Sequence, residues 1–122
     1  MTLSSGRWIL ALVILAASPA LAQERSPAER QSLVDLARVL GESHALRQAC
    51  EGEADQVWRG RMHDLLEQEA ADQGLKTRLS LAFNDGFHAG QALFPKCSEA
   101  ARAEARRIAA SGRALALKLA GP

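Results

Sequence analysis

The sequence predicts an all-α protein, an up-down four-helix bundle held by one disulfide and preceded by an amino-terminal signal peptide. Three observations support this fold. Apolar residues beyond position 22 recur at spacings of three and four. No alternating apolar run is long enough for a strand. A chain of 122 residues with 48% hydrophobic and 24% charged residues fits one small domain and is too short for a barrel enzyme.

Residues 1–22 have the features of a secretory signal peptide. Arg7 provides a positive charge, residues 8–17 carry none, and Ala22 ends a small-x-small cleavage sequence. The uncharged run is much shorter than the roughly 20 residues that span a membrane. We therefore expect a periplasmic or secreted protein, cleaved after Ala22, with one helical domain over residues 23–122 and no transmembrane segment.

The first predicted helix opens at Ser26 with a capping box completed by Glu29 and with Pro27 at the first helical position. It ends near Cys50. The second helix begins near residues 53–55, where acidic side chains suit the positive end of the helix dipole. A turn at residues 72–74 is expected to end it.

The third helix is predicted from Leu75 to Leu93, where Pro95 stops it. Gly86 and Gly90 lie on its apolar face and should let a neighbouring backbone come close. Ser98 is the expected cap of the fourth helix. The inner stripe of that helix is rich in small residues: Ala101, Ala105, Ile108, Gly112, Leu115 and Leu119.

Cys50 and Cys97 are the only cysteines, so one intramolecular pairing is possible. A structural disulfide suits an exported chain, and a reactive or intermolecular thiol is the alternative. Short connections favour antiparallel neighbouring helices. In an up-down order both cysteines lie at the same end of the bundle, which agrees with the pairing.

Glu69 lies within the apolar stripe of the second helix, where an ionised carboxylate needs a partner. Arg78 lies about equally far beyond the expected turn, so we predict a buried Glu69–Arg78 ion pair. A general acid or a ligand-binding carboxylate with a perturbed pKa is the alternative.

Other polar and aromatic residues are weaker candidates. His63 and Glu67 stand at i and i+4 and could supply two metal ligands, but a native metal site is not favoured and no cofactor or catalytic motif is predicted. Candidates for an interaction or ligand surface are Trp58, Arg59, Asn84 and Phe87. For the aromatic residues, packing in the core is the simpler interpretation.

An ordered set of residues resembles a functionally uncharacterised family of small exported alphaproteobacterial proteins over roughly residues 33–119. The set consists of Leu40-Gly41, His44, Leu46-Arg47, Cys50, Trp58-Arg59, Met62, Leu65-Leu66, Glu69, Arg78-Leu79, Ala82-Phe83-Asn84, Gly86 and Cys97. The resemblance implies export and the cysteine pair, and it implies no chemistry.

Without residues 1–22, basic and acidic residues balance at 14 each, which gives no indication of a nucleic-acid partner. Residues 98–122 carry a basic excess, for which a solvated helix face is a simpler explanation than an anionic surface. We therefore predict a periplasmic binding or interaction module with a partner in the cell envelope. The alternatives are a small ligand- or metal-binding bundle and, less favoured, an enzyme using Glu69.

Overall fold

The computed structural model describes residues 25–121, and the predicted signal peptide lies outside the described residues. The described chain forms four α-helices and contains no strand: α1 (Pro27–Glu51), α2 (Val57–Gln68), α3 (Gln73–Leu93) and α4 (Glu99–Ala120). The predicted all-α class is confirmed. Within this range no helix combines the length and apolarity needed to cross a membrane.

Side-chain caps fix the starts of α1 and α4 where the sequence predicts them. The Ser26 hydroxyl accepts a hydrogen bond from the Glu29 backbone N–H at 3.1 Å, and the Glu29 carboxylate accepts one from the Ser26 N–H at 3.2 Å. The Ser98 hydroxyl likewise accepts from the Ala101 N–H at 3.0 Å. Each cap satisfies backbone donors that the first helical turn leaves unpaired.

The boundary between α2 and α3 differs from the prediction. Helix α2 ends at Gln68, and Ala70 in the connection has a φ of 46°. Asp72 does not belong to a terminating turn but caps α3, because its carboxylate accepts a 2.8 Å hydrogen bond from the Leu75 N–H. Gly74 therefore lies in the first turn of α3. An aspartate placed to cap a helix outweighs the glycine signal for a helix end.

Helix α1 is the centre of the fold. It packs against α3 most extensively, then against α4 and α2, whereas the other three helices have little contact with one another in the described chain. The core is correspondingly built on the apolar residues of α1. Its fully buried large side chains are Leu33, Leu75 and Leu79.

Glycines allow α1 and α3 to approach closely, as predicted for Gly86 and Gly90. A Cβ built on Gly86 would overlap the Arg38 carbonyl oxygen of α1. Gly41 makes the reciprocal approach, because its Cβ would overlap the Phe83 carbonyl oxygen. The two backbones are thus in contact where most helix pairs are separated by side chains.

Cys50 and Cys97 lie at disulfide distance, with their Cα atoms 4.7 Å apart. The pair joins the last turn of α1 to the segment just before α4. This link ties together two elements separated by 47 positions in the sequence, so it restricts the unfolded chain strongly.

Candidate binding groove between α2 and α4

Helices α2 and α4 both pack on α1 but leave a groove between themselves, with α1 as its floor. On the α4 side the wall is made of small residues, among them Ala109, Gly112 and Ala116. These side chains are too short to reach α2, so the space remains open. The groove has a volume of about 510 Å³, which falls within the usual range for small-ligand sites.

The floor of the groove is apolar except at one position. Leu36, Val39 and Leu40 of α1 line it together with Ser43. Ser43 is only 4% exposed, and its hydroxyl has no hydrogen-bond partner within residues 25–121. A helical serine commonly bonds the carbonyl one turn before it. A buried hydroxyl without a partner is costly, and Ser43 is the one polar side chain on this floor.

The rim of the groove carries charge. Arg61 of α2 lies over the Trp58 ring, with its guanidinium carbon 5.2 Å from the ring centroid, an attractive cation–π geometry. Arg113 lines the facing wall on α4, and Asp64 is the one acidic residue of the lining. Neither arginine forms an ion pair in the described part of the chain. The groove therefore joins an apolar floor to a rim with a net positive charge.

The predicted interaction residues do not converge on one site. Trp58 is half-buried and lines the groove. Arg59 and Asn84 are exposed and lie outside its lining. Phe87 is half-buried, and its ring centroid is 5.2 Å from that of His44. Of the four candidates, the structure brings only Trp58 to the groove.

His44 forms a separate cluster beneath α3. The imidazole is 2% exposed and lies against the rings of Phe83 and Phe87, and its Nδ1 has no hydrogen-bond partner in the described chain. Burial lowers the pKa of His44, and the positive charge of Arg59 lowers it further, while Asp55 acts in the opposite direction. The environment therefore favours the neutral imidazole.

The predicted Glu69–Arg78 ion pair is not formed. Both carboxylate oxygens of Glu69 accept hydrogen bonds from the guanidinium of Arg25, at 2.7 and 2.8 Å. Arg78 is exposed and instead donates to the Gln31 side chain at 3.3 Å. The physical reason is the packing: α2 and α3 each lie on α1 and do not form the close hairpin that the prediction requires.

Arg25 connects three parts of the chain. Besides Glu69 it binds the Glu29 carboxylate at 3.1 Å and the Leu119 carbonyl oxygen near the end of α4 at 3.1 Å. The hydrogen bond to Glu69 is the main reason that the pKa of Arg25 lies above its usual value. Since both Glu69 oxygens are held in this pair, the carboxylate has the arrangement of a structural ion pair.

His63 and Glu67 are both exposed on α2. No cluster of three or more His, Cys, Asp or Glu side chains suited to a metal ion occurs between residues 25 and 121. His63 and Glu67 alone do not form a metal site.

Sequence reasoning missed Ser43, Arg61 and Arg113 as residues of a common groove. Their sequence positions carry no shared motif, because they come from three different helices. The available signal is the stripe of small residues on α4, of which Gly112 lines the groove. Close packing does occur at Gly112, where an added Cβ would lie 3.0 Å from Val39.

These features define a small helical domain with a disulfide link and an amphiphilic groove. The chain belongs to the family described as "Protein of unknown function (DUF2385)", whose profile matches residues 27–121. That range includes all four helices and both cysteines. Comparisons with curated proteins and with solved structures gave no match.

Proposed function

We propose that this protein is an exported binding module of the cell envelope, and that it holds a small ligand in the groove between α2 and α4. The observation that carries the proposal is the groove itself, with its apolar floor and the buried, unpartnered hydroxyl of Ser43. A concave apolar site with a few convergent polar groups is the usual form of a small-ligand site.

Periplasmic localisation is part of the proposal. The signal-like residues 1–22 and the Cys50–Cys97 pair favour it, because disulfides persist in oxidising compartments. Proteins of the envelope meet lipids, wall fragments and other exported proteins. A small domain with an open groove is suited to hold one of their components.

We also infer an up-down-up-down order of the helices. Two ion pairs connect α1 with α3 and its cap, Arg30 with Asp72 and Arg38 with Asp85. Because the later residue of α1 pairs with the later residue of α3, the two helices are favoured to run parallel. The contacts with α4 run in the reverse order, because Arg25, just before α1, binds the Leu119 carbonyl oxygen, whereas Val39, further along α1, lies next to Gly112. In this order α2 and α4 run in the same direction on either side of the groove.

Native mass spectrometry of the protein, purified gently from the periplasm, tests ligand binding. We expect a fraction of the protein to retain a small molecule. Ala116→Leu should remove the retained mass, because Ala116 is exposed on the groove wall and a larger side chain would fill the space. Ala103→Leu is the matched control, since Ala103 is exposed on the same helix outside the groove lining.

Two results would contradict the proposal. One is a wild-type protein without any retained mass that also binds no compound from an amphiphile series. The other is a retained mass that Ala116→Leu and Ala103→Leu leave equally unchanged, since the molecule would then be bound elsewhere. Circular dichroism of both variants checks that the helices are intact.

A second candidate function is the docking of an envelope protein. It is favoured by large apolar side chains that lie exposed at the surface, namely Leu81, Leu93 and Leu117. Crosslinking in intact periplasm would test it, with a specific protein adduct lost on Leu117→Ser as the expected result. Because these three leucines lie outside the groove lining, the two functions are separable by mutation.

A further inference from the structure

The charges on the groove walls indicate which ligand chemistry the site accepts. We propose, resting on the function above, that the groove binds a single-chain amphiphile with an anionic head group, a carboxylate or a phosphate. The apolar floor on α1 receives the chain, and the arginines of the facing walls hold the head group.

The two arginines carry the argument for an anion. Arg61 on α2 and Arg113 on α4 are exposed, line the same groove from opposite walls, and have no ion-pair partner within residues 25–121. Asp64 is the single acidic residue of the lining, so the positive charge is in excess. An anion between the two guanidinium groups would form charge-assisted hydrogen bonds with both, whereas a cationic head group would be repelled.

The size and lining of the groove support a chain of moderate length. A volume of about 510 Å³ corresponds to roughly 15–20 atoms of the size of a water molecule. Along α1 the floor extends from Leu36 to Ser43, a distance of about 10 Å in a helix. Leu40 and Leu65 add apolar surface between these ends, so a flexible alkyl chain can lie along the floor.

The buried hydroxyl of Ser43 independently favours a ligand with a polar head group. This hydroxyl is buried on the floor and makes no hydrogen bond in the described chain. A pure hydrocarbon in the groove would leave that hydroxyl unpaired. A head-group oxygen would accept a hydrogen bond from it, so Ser43 favours an amphiphile over a wholly apolar ligand.

Trp58 provides a direct probe of binding, because it lines the groove and is one of only two tryptophans in the full chain. In the protein cleaved after Ala22, which no longer contains Trp8, the fluorescence of Trp58 would be titrated with dodecanoate, dodecyl phosphate, dodecyltrimethylammonium and acetate, each below its micelle concentration. We expect saturable binding of one or both anionic amphiphiles. The cationic amphiphile should bind at least tenfold more weakly, and acetate should give no change.

Variants assign the selectivity to the groove. Arg113→Gln should weaken binding of the anionic amphiphile at least tenfold, and Ser43→Ala should weaken it severalfold. Arg102→Gln is the matched control, because Arg102 is exposed on α4 outside the groove lining. Equal binding of the anionic and cationic amphiphiles would overturn the inference. So would equal effects of Arg113→Gln and Arg102→Gln.

The measurements distinguish a groove that binds ligands without a preference for anions from a groove that binds no ligand. If both amphiphiles bind equally and Ala116→Leu abolishes both, the groove is a binding site without a preference for anions, and only the inference is overturned. If native mass spectrometry shows a groove-dependent ligand while no anionic amphiphile binds, the inference is again overturned alone. A groove-dependent dimer or peptide complex without amphiphile binding identifies a different occupant and also overturns it.

Discussion

The close contact between α1 and α3 predicts that Gly86→Ala destabilises the protein, although alanine is the better helix former. Gly86 lies on the buried face of α3. A Cβ at this position would overlap the Arg38 carbonyl oxygen and lie 3.1 Å from the Glu42 nitrogen. Both atoms belong to the backbone of α1, so no side chain can rotate away to make room.

The net effect follows from two opposing contributions. Replacing glycine by alanine inside a helix favours folding by about 1 kcal/mol. To relieve the overlap, the helices must separate by roughly 1 Å, and a gap of that size removes a quarter to a half of the dispersion energy of each contact across it. Overpacking of this kind costs about 1–3 kcal/mol, and more where the backbone must move. Because α1–α3 is the largest interface of the fold, we expect a net loss of about 2 kcal/mol.

Gly60→Ala is the matched control for this prediction. Gly60 lies in α2, and an added Cβ would meet nothing within 4 Å, so this substitution should stabilise the protein by about 0.5–1 kcal/mol. Urea unfolding of the oxidised protein, followed by circular dichroism, measures both changes. In thermal unfolding followed by the same signal, the melting temperature should fall by roughly 8 °C or more for Gly86→Ala. A Gly86→Ala protein as stable as Gly60→Ala would refute the close backbone contact.

Two further predictions concern polar groups that are buried or partly buried. Arg25→Gln and Glu69→Gln should each lower the free energy of unfolding by about 2 kcal/mol. The double variant of these two residues should show a coupling energy of about 1 kcal/mol. The effects of Arg78→Gln and Glu69→Gln should instead be additive, because these side chains do not form a pair. Because burial lowers the pKa of His44, the unfolded state binds the proton more tightly. Stability should therefore decline as the pH falls below about 6.5, and urea titrations should show a weaker decline in His44→Gln.

Local signals in the sequence predicted the elements of this fold well. The capping box at Ser26 and the cap at Ser98 act through hydrogen bonds within three residues, so the sequence alone contains both partners. The glycines of α3 also predicted a contact from the sequence alone. A helix face with Gly86 and Gly90 has no side chains at these positions, so another backbone can come close there. The predicted boundary between α2 and α3 was wrong because its two signals conflict. Asp72 is a residue type that caps the start of a helix, whereas Gly74 is a residue type that follows the end of one.

Long-range partners were harder to predict. The partner of Glu69 is Arg25, 44 positions earlier in the chain, and not the predicted Arg78 on the adjoining helix. The choice between Arg25 and Arg78 depends on how α2 and α3 are placed on α1, which no local pattern specifies. The residues of the groove were missed for the same reason.

The central position of α1 explains why a groove can exist in so small a domain. Since α2, α3 and α4 each bury their apolar faces against α1, α2 and α4 make little contact with each other in the described chain. The wall residues Arg61, Arg113 and Ala116 are accordingly exposed, and substitutions there should have little effect on stability. The floor residues Leu36 and Leu40 also belong to the core, whereas the exposed wall residues do not, so the proposed ligand preference can be tested with wall variants that still fold.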